Sequence, residues 1–342
     1  MPGVTRQKHG VIRTNGCPTV NIDCIFGLRR LVLVGIIGIA FVCNPDPQEE
    51  ETHERGIFGP EGGLGDWGRF RHGTGGVGHR QEVAIVSRKP GKPAEGGAGK
   101  SHRPAIAFWL EHASLPACEI AALLGYNAVI FDMEHGVISP EAADHLTLSS
   151  KRLGLTVYSR VASADRPAIQ HALDSGVDGV ILPQIADLGH ARAATAFAKY
   201  PPLGTRGVGY SRTMAYGGTG PDFFEAENRR ALCFPMIETP GALAEVEAIA
   251  CLETVDGLFI GPSDLSMTRG RGAYRITDSD LADLETIAAA AAKSGKPWAL
   301  PAPSQTVFDF AVRQGAAMVT VCDDLTALRQ GFTQGLAVAG RG

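Results

Sequence analysis

An α/β fold, a TIM (β/α)8 barrel behind a disordered N-terminal extension, is what this sequence predicts, on three observations. From Pro104 to the end, apolar runs of strand length alternate without interruption with amphipathic stretches of helix length. Eight strand–helix pairs fit the 239 residues available, which is the size of such a barrel. Turn signals recur where a helix gives way to the next strand: Gly125-Tyr126-Asn127, Ser175-Gly176, Ser294-Gly295-Lys296 and Gln314-Gly315.

The chain divides at residue 103. Of its 43 glycines, 20 fall in residues 1–103, and residues 56–99 mix Gly, Arg, His and Pro with little period, so this stretch is expected to be disordered. Residues 31–43 form an apolar run of 13 after Arg29-Arg30. A spanning helix needs about 20 residues, and a secretory signal sits nearer the start. The leader therefore reads as an extension outside the folded unit, of the kind that a start codon placed too far upstream would add. A membrane anchor or export signal is the competing reading.

In the second domain, residues 104–342, strands are expected at 105–110, 128–134, 156–161, 179–184, 233–238, 257–261, 298–301 and 318–322. Helices are expected at 116–124, 140–153, 166–175, 188–199, 241–252, 278–293, 305–314 and 325–337. The first strand runs into Leu110-Glu111-His112-Ala113-Ser114, where a doubly wound sheet, the competing fold, would need a Gly-rich phosphate fingerprint. The second ends Phe131-Asp132-Met133-Glu134-His135-Gly136. The third ends at Arg160. After the fourth comes a Gly- and Arg-rich loop, residues 200–212, of a kind that closes over substrates. The fifth and sixth strands and the helix between them form a βαβ unit, which delivers Glu238 and Asp264 to one rim. The last two strands and the helix 325–337 complete the ring.

An apolar fraction of 44% is enough for a sizeable core. The net charge of −4 hides an asymmetry, since residues 104–342 carry 18 Lys/Arg against 26 Asp/Glu; an acidic barrel is a poor partner for nucleic acid. Seven cysteines include no CxxC pair, so a reduced, cytoplasmic setting is expected, and a membrane partner is not.

Barrel enzymes carry their active sites at the C-terminal ends of the strands. Those ends offer Asp132 with His135, Arg160, Glu238, and Ser263 with Asp264. Two hard oxygen ligands, Glu238 and Asp264, with no His or Cys beside them suit Mg²⁺ or Mn²⁺, or Co²⁺, better than Zn²⁺. Asp132 and His135 could form a dyad in which the carboxylate raises the basicity of the ring. Arg160 would add positive charge beside a developing oxyanion, and the amides of Ser263 and Asp264 could receive a substrate carboxylate. Taken singly, each residue has a plainer reading: Glu238 or Asp264 as a helix cap, His135 as a structural histidine, Arg160 as half of an ion pair.

The sequence resembles the HpcH/HpaI aldolases, class II pyruvate aldolases, over residues 104–342. The likeness rests on Phe131-Asp-Met-Glu-His-Gly136, Arg160-Val161, Tyr200-Pro-Pro-Leu-Gly-Thr-Arg-Gly-Val-Gly209, Ile237-Glu-Thr239 and Asp256-Gly-Leu-Phe-Ile-Gly-Pro-Ser-Asp-Leu-Ser266. It implies a TIM barrel that makes and breaks a carbon–carbon bond between pyruvate, or a close 2-oxo acid, and an aldehyde, with a divalent metal and no Schiff-base lysine. On that pattern Glu238 and Asp264 are the metal ligands, His135 with Asp132 is the base working through a metal-bound water, Arg160 stabilises the enolate, and Trp109 lines the pocket. Arg206, within the matching loop, is a candidate substrate contact. The resemblance also implies a hexamer, a trimer of dimers in which the last helix is exchanged between subunits. One departure stands out: some members carry Gln where this chain has Met236.

Two other functions compete. The same enolate chemistry could serve an oxaloacetate-type decarboxylase or a malyl- or citramalyl-thioester lyase, for whose coenzyme phosphates only Arg206 and Arg212 offer charge. A non-catalytic barrel tethered by residues 31–43 that binds an organic acid is the reading from another class.

Overall fold

The computed structural model describes residues 103–340 and, in the leader, the strands Val32–Val34 and Ala40–Val42. Those two strands lie in the apolar run and pair antiparallel, Val32 opposite Val42. The expected disorder of the rest of the leader lies outside the described residues. Among the described residues no helix is long and apolar enough to cross a membrane.

Eight parallel strands close into a barrel: β1 (Ala105–Leu110), β2 (Ala128–Asp132), β3 (Thr156–Arg160), β4 (Gly179–Leu182), β5 (Leu232–Ile237), β6 (Leu258–Ile260), β7 (Trp298–Pro301) and β8 (Met318–Asp323), with β8 pairing back to β1. Alternate side chains face the lumen or the helices. Ala107, Ile130, Ile181, Met236, Phe259, Ala299 and Met318 fill the inside, while Phe108, Val129, Val157, Val180, Cys233 and Leu258 pack outward. That parity carries Asp132, two residues beyond Ile130, into the lumen at its C-terminal end. In β8 a bulge between Thr320 and Cys322 shifts the register against β1.

The helices run α1 (Leu115–Leu124), α2 (Pro140–Arg152), α3 (Arg166–Asp174), α4 (Leu188–Ala196), α5 (Phe223–Arg230), α6 (Pro240–Ala244), α7 (Val246–Ala250), α8 (Pro262–Thr268), α9 (Asp278–Ser294), α10 (Gln305–Arg313) and α11 (Asp324–Val338). The expected helix 241–252 is broken at Glu245, whose φ is −112° and whose carboxylate accepts the amide of Leu188 at 2.7 Å. Residues 200–231 are more than a loop, because they include α5 and a 3₁₀ turn, Ala215–Gly217. Eight helices begin on a Ser, Thr or Asp whose side chain accepts a backbone N–H: Ser114, Ser139, Asp165, Asp187, Thr239, Thr277, Ser304 and Asp323. Neither Glu238 nor Asp264 is among them. Thr239 caps α6, and Gly261, with no side chain to offer, stands before α8.

Candidate active site

Asp132 and Arg160 end adjacent strands and are paired residues in the ladder. Both are buried. Arg160 Nε donates to Asp132 Oδ1 at 3.0 Å and its Nη2 to Oδ2, while Nη1 stands 3.3 Å from Glu134 Oε2. The indole Nε1 of Trp109 donates to Asp132 Oδ2 at 2.9 Å, and the guanidinium carbon lies 4.8 Å from the Trp109 ring centre. Burial works to raise the Asp132 carboxyl, but the hydrogen bonds and charge of Arg160, the amide of His135 and the indole outweigh it and hold the group below the usual carboxylate range. The result is a guanidinium fixed in one plane at the barrel mouth.

The expected Asp132–His135 pairing is made to the wrong part of the histidine. Asp132 Oδ1 accepts the backbone amides of Glu134 and His135, each at 3.0 Å, and its remaining capacity goes to Arg160 and Trp109. A spacing of three residues closes a turn here, which brings the amide and not the ring to the carboxylate. The His135 ring is 64% exposed, and its Nε2 is 3.9 Å from Glu134 Oε2. Gly136 makes the turn possible, because a Cβ there would collide with the carbonyls of Asp132 and Glu111.

Glu238 follows β5 and is fully buried. Its Oε1 accepts the Gln184 amide at 2.6 Å; its Oε2 has no hydrogen-bond partner. Burial pushes this carboxyl up to about 7; the Gln184 amide pulls it down, the charges of Asp264 and Glu134 add to the rise, and Arg160 opposes it. Gly261, just after β6, leaves room for the carboxylate, since a Cβ there would strike Oε2. Asp264 stands in the first turn of α8, half buried, and Ser263 beside it is exposed. Thr268 Oγ1 ties that helix to the carbonyl of Glu238 at 3.1 Å. Met236 is buried in the lumen below, with Phe259 and Trp109.

This donor set fits a hard divalent cation. A carboxylate oxygen that is buried, unpartnered and flanked by two further acids lacks positive charge, and the set is all oxygen. Among the described residues no group of three or more His, Cys, Asp or Glu has the geometry to hold a metal, so the chain itself would offer the pair Glu238 and Asp264.

Glu134 belongs to the site although the sequence reading gave it no role. Alternation from Asp132 was the signal available. Burial raises its carboxyl, and the charges of Arg160 and His135 pull it back.

Arg206 does not belong. Its side chain is buried and paired with Asp174 at 2.7 Å and Glu227 at 3.1 Å, and it lies over the Tyr200 ring at 4.7 Å. Asp174 ends α3, and helix ends in a barrel face the N-terminal rim, opposite the acids just described. The Arg206→Met variant should lose about 3 kcal/mol in urea unfolding, because Asp174 is left unpaired and Glu227 keeps only Arg230. Its turnover per folded molecule should match the parent. A cavity of about 650 Å³ near this region is lined by Lys151, Arg152, Arg212 and Arg230, of which all but Arg152 face acids: Asp178, Asp144 and Glu227.

The chain and its fold have counterparts. The chain is 31% identical over 239 residues to a 5-keto-4-deoxy-D-glucarate aldolase of Klebsiella pneumoniae, covering 70% of this chain and 93% of that one. It is 31% identical over 225 residues to a hydroxypyruvate/pyruvate aldolase of Sagittula stellata, with 66% and 88% covered. The crystal structure of an HpcH/HpaI aldolase/citrate lyase family protein from Burkholderia cenocepacia superposes with a TM-score of 0.65 at 25% identity, over 70% of this chain and 95% of that one. Residues 105–309 match the HpcH/HpaI aldolase/citrate lyase family as a whole, and the chain belongs to that family.

Proposed function

We propose that this barrel is a carbon–carbon lyase, a metal-dependent aldolase that splits a 4-hydroxy-2-oxo acid into pyruvate and an aldehyde and runs the reverse addition. The observation that carries the reading is the unpartnered Glu238 Oε2, buried within reach of the Asp264 charge. The aldolases at 31% identity support it.

Mg²⁺, Mn²⁺ or Co²⁺ held by Glu238 and Asp264 would supply Lewis-acid polarisation of the 2-oxo group. Arg160, locked by Asp132 and Glu134, places positive charge where the enolate oxygen develops and needs no reorganisation to do so. His135, exposed at the rim, takes the proton of the C4 hydroxyl on Nε2. The C3–C4 bond then breaks, its electron pair enters the enolate, the aldehyde leaves, and C3 takes the proton back from His135 to give pyruvate. Glu134 Oε2 stands 3.9 Å from that nitrogen. Ser263, exposed beside Asp264, and Trp109, under Arg160, bound the space for the 2-oxo acid. The thioester-lyase alternative loses its coenzyme contacts, since Arg206 is buried and Arg212 is paired with Asp144.

Pyruvate release from short 4-hydroxy-2-oxo acids, followed with Mn²⁺ and then with EDTA, tests the reading. Chelation is expected to abolish turnover and Mn²⁺ to restore it. Turnover that persists in EDTA would discard the metal mechanism.

A homo-oligomer, a hexamer built as a trimer of dimers, belongs to the same proposal. From Leu325 onward α11 is exposed, and Leu325, Leu328, Phe332 and Leu336 make one apolar stripe along it. A second copy covering that stripe accounts for it. Phe332→Asp should reduce the mass measured by light scattering to that of a smaller species. A reduced, cytoplasmic setting fits the free thiols of Cys118, Cys233, Cys251 and Cys322.

A further inference from the structure

We infer that Gln184 and Thr239 are positioning residues that preset Glu238 for its cation, an inference resting on the reading of Glu238 as a cation ligand. Gln184 follows β4 with φ +55°, in the left-handed region that a residue with a Cβ rarely adopts. Its side chain is exposed and makes no hydrogen bond among the described residues, so the side chain does not account for the conformation. The backbone does: this turn aims the Gln184 amide at Glu238 Oε1, 2.6 Å away.

The turn is held from the far side. Thr239 Oγ1 donates to the carbonyl of Ile185 at 2.7 Å and lies 3.2 Å from that of Ala186. Gly241 admits the Ala186 carbonyl into space that a Cβ would fill. The Ala186 amide donates to His190 Nδ1 at 3.2 Å, and Ile185 is fully buried. Residues at the start of α6 and on α4 thus fix the backbone after β4 in a strained state. One oxygen of Glu238 is pinned by a main-chain donor and the other is left for the cation. A ligating carboxylate held in this way needs no ordering when metal arrives.

Isothermal titration of Mn²⁺ into the full chain, with far-UV circular dichroism on the same samples, tests this without reference to turnover. Gln184→Gly accepts the left-handed backbone and should bind Mn²⁺ within about twofold of the parent. Gln184→Val resists that backbone, and Thr239→Val removes the tether. Each should weaken Mn²⁺ by about 10- to 100-fold, with Thr239→Ser restoring affinity. Should Gln184→Val fail to fold, Thr239→Val against Thr239→Ser decides alone. Binding within twofold in both Val variants would overturn the inference, as would an equal loss in Gln184→Gly, which would put the effect in the side chain. A parent protein that takes no Mn²⁺ would fail the reading of Glu238 itself, and the inference would fall with it.

Discussion

Glu238→Gln should leave a folded barrel that releases pyruvate at least about a thousandfold more slowly, a loss of about 4 kcal/mol of transition-state stabilisation. Glutamine keeps the carbonyl oxygen that accepts the Gln184 amide, so the local backbone has no reason to move. What changes is the second oxygen, now unpartnered, which becomes an amide donor facing the acids Asp264 and Glu134. In the metal-free protein the substitution should stabilise. The carboxyl of Glu238 is raised from 4.5 to about 7, so its protonated form favours the fold below about pH 4.5, and that contribution is lost as pH rises through about 7. Above that window the ionised parent is worse off than the Gln variant by on the order of 3 kcal/mol. Urea unfolding of both proteins in EDTA at pH 5 and pH 8 checks this. Mn²⁺ should then reverse the order, stabilising the parent and leaving the variant unmoved. Equal metal-induced stabilisation in the two proteins would show that the cation binds elsewhere.

The barrel was legible because its period is written in runs long enough to survive local exceptions. All eight strands stand where the apolar runs place them, and Glu238 and Asp264 reach one end of the lumen because a βαβ unit permits nothing else. Contacts set by tertiary structure were not legible. Arg206 sits in a Gly-rich motif that invites a substrate role, yet its partners Asp174 and Glu227 are 32 and 21 positions away, and only the fold brings them round it. The interval from Asp132 to His135 suggested a side-chain dyad, and the turn at Gly136 spent that interval on a backbone hydrogen bond instead. The break at Glu245 follows from a bond to the amide of Leu188, 57 positions earlier. Gln184 carries no mark at all, since a left-handed residue that is not glycine is invisible to composition and period alike.

Arg160→Lys separates charge from geometry at the centre of the site. Lysine keeps one positive charge but cannot make the fork that joins Nε and Nη2 to the two oxygens of Asp132 while Nη1 faces Glu134, and it loses the planar contact with Trp109. Turnover should fall by about 10²–10³-fold, the size of a lost preorganised donor at a developing oxyanion. The barrel should stay folded, because neither acid is left alone with its charge; Arg160→Ala, by contrast, strands Asp132 and Glu134 and should cost about 3–5 kcal/mol in unfolding. Exchange of the pyruvate methyl protons for deuterium, read by NMR, isolates the enolate from the aldehyde. If Arg160 acts on the enolate oxygen, exchange and cleavage should fall together in the Lys variant. If exchange survives while cleavage is lost, the guanidinium serves the aldehyde half of the reaction, and the role assigned to it here is wrong.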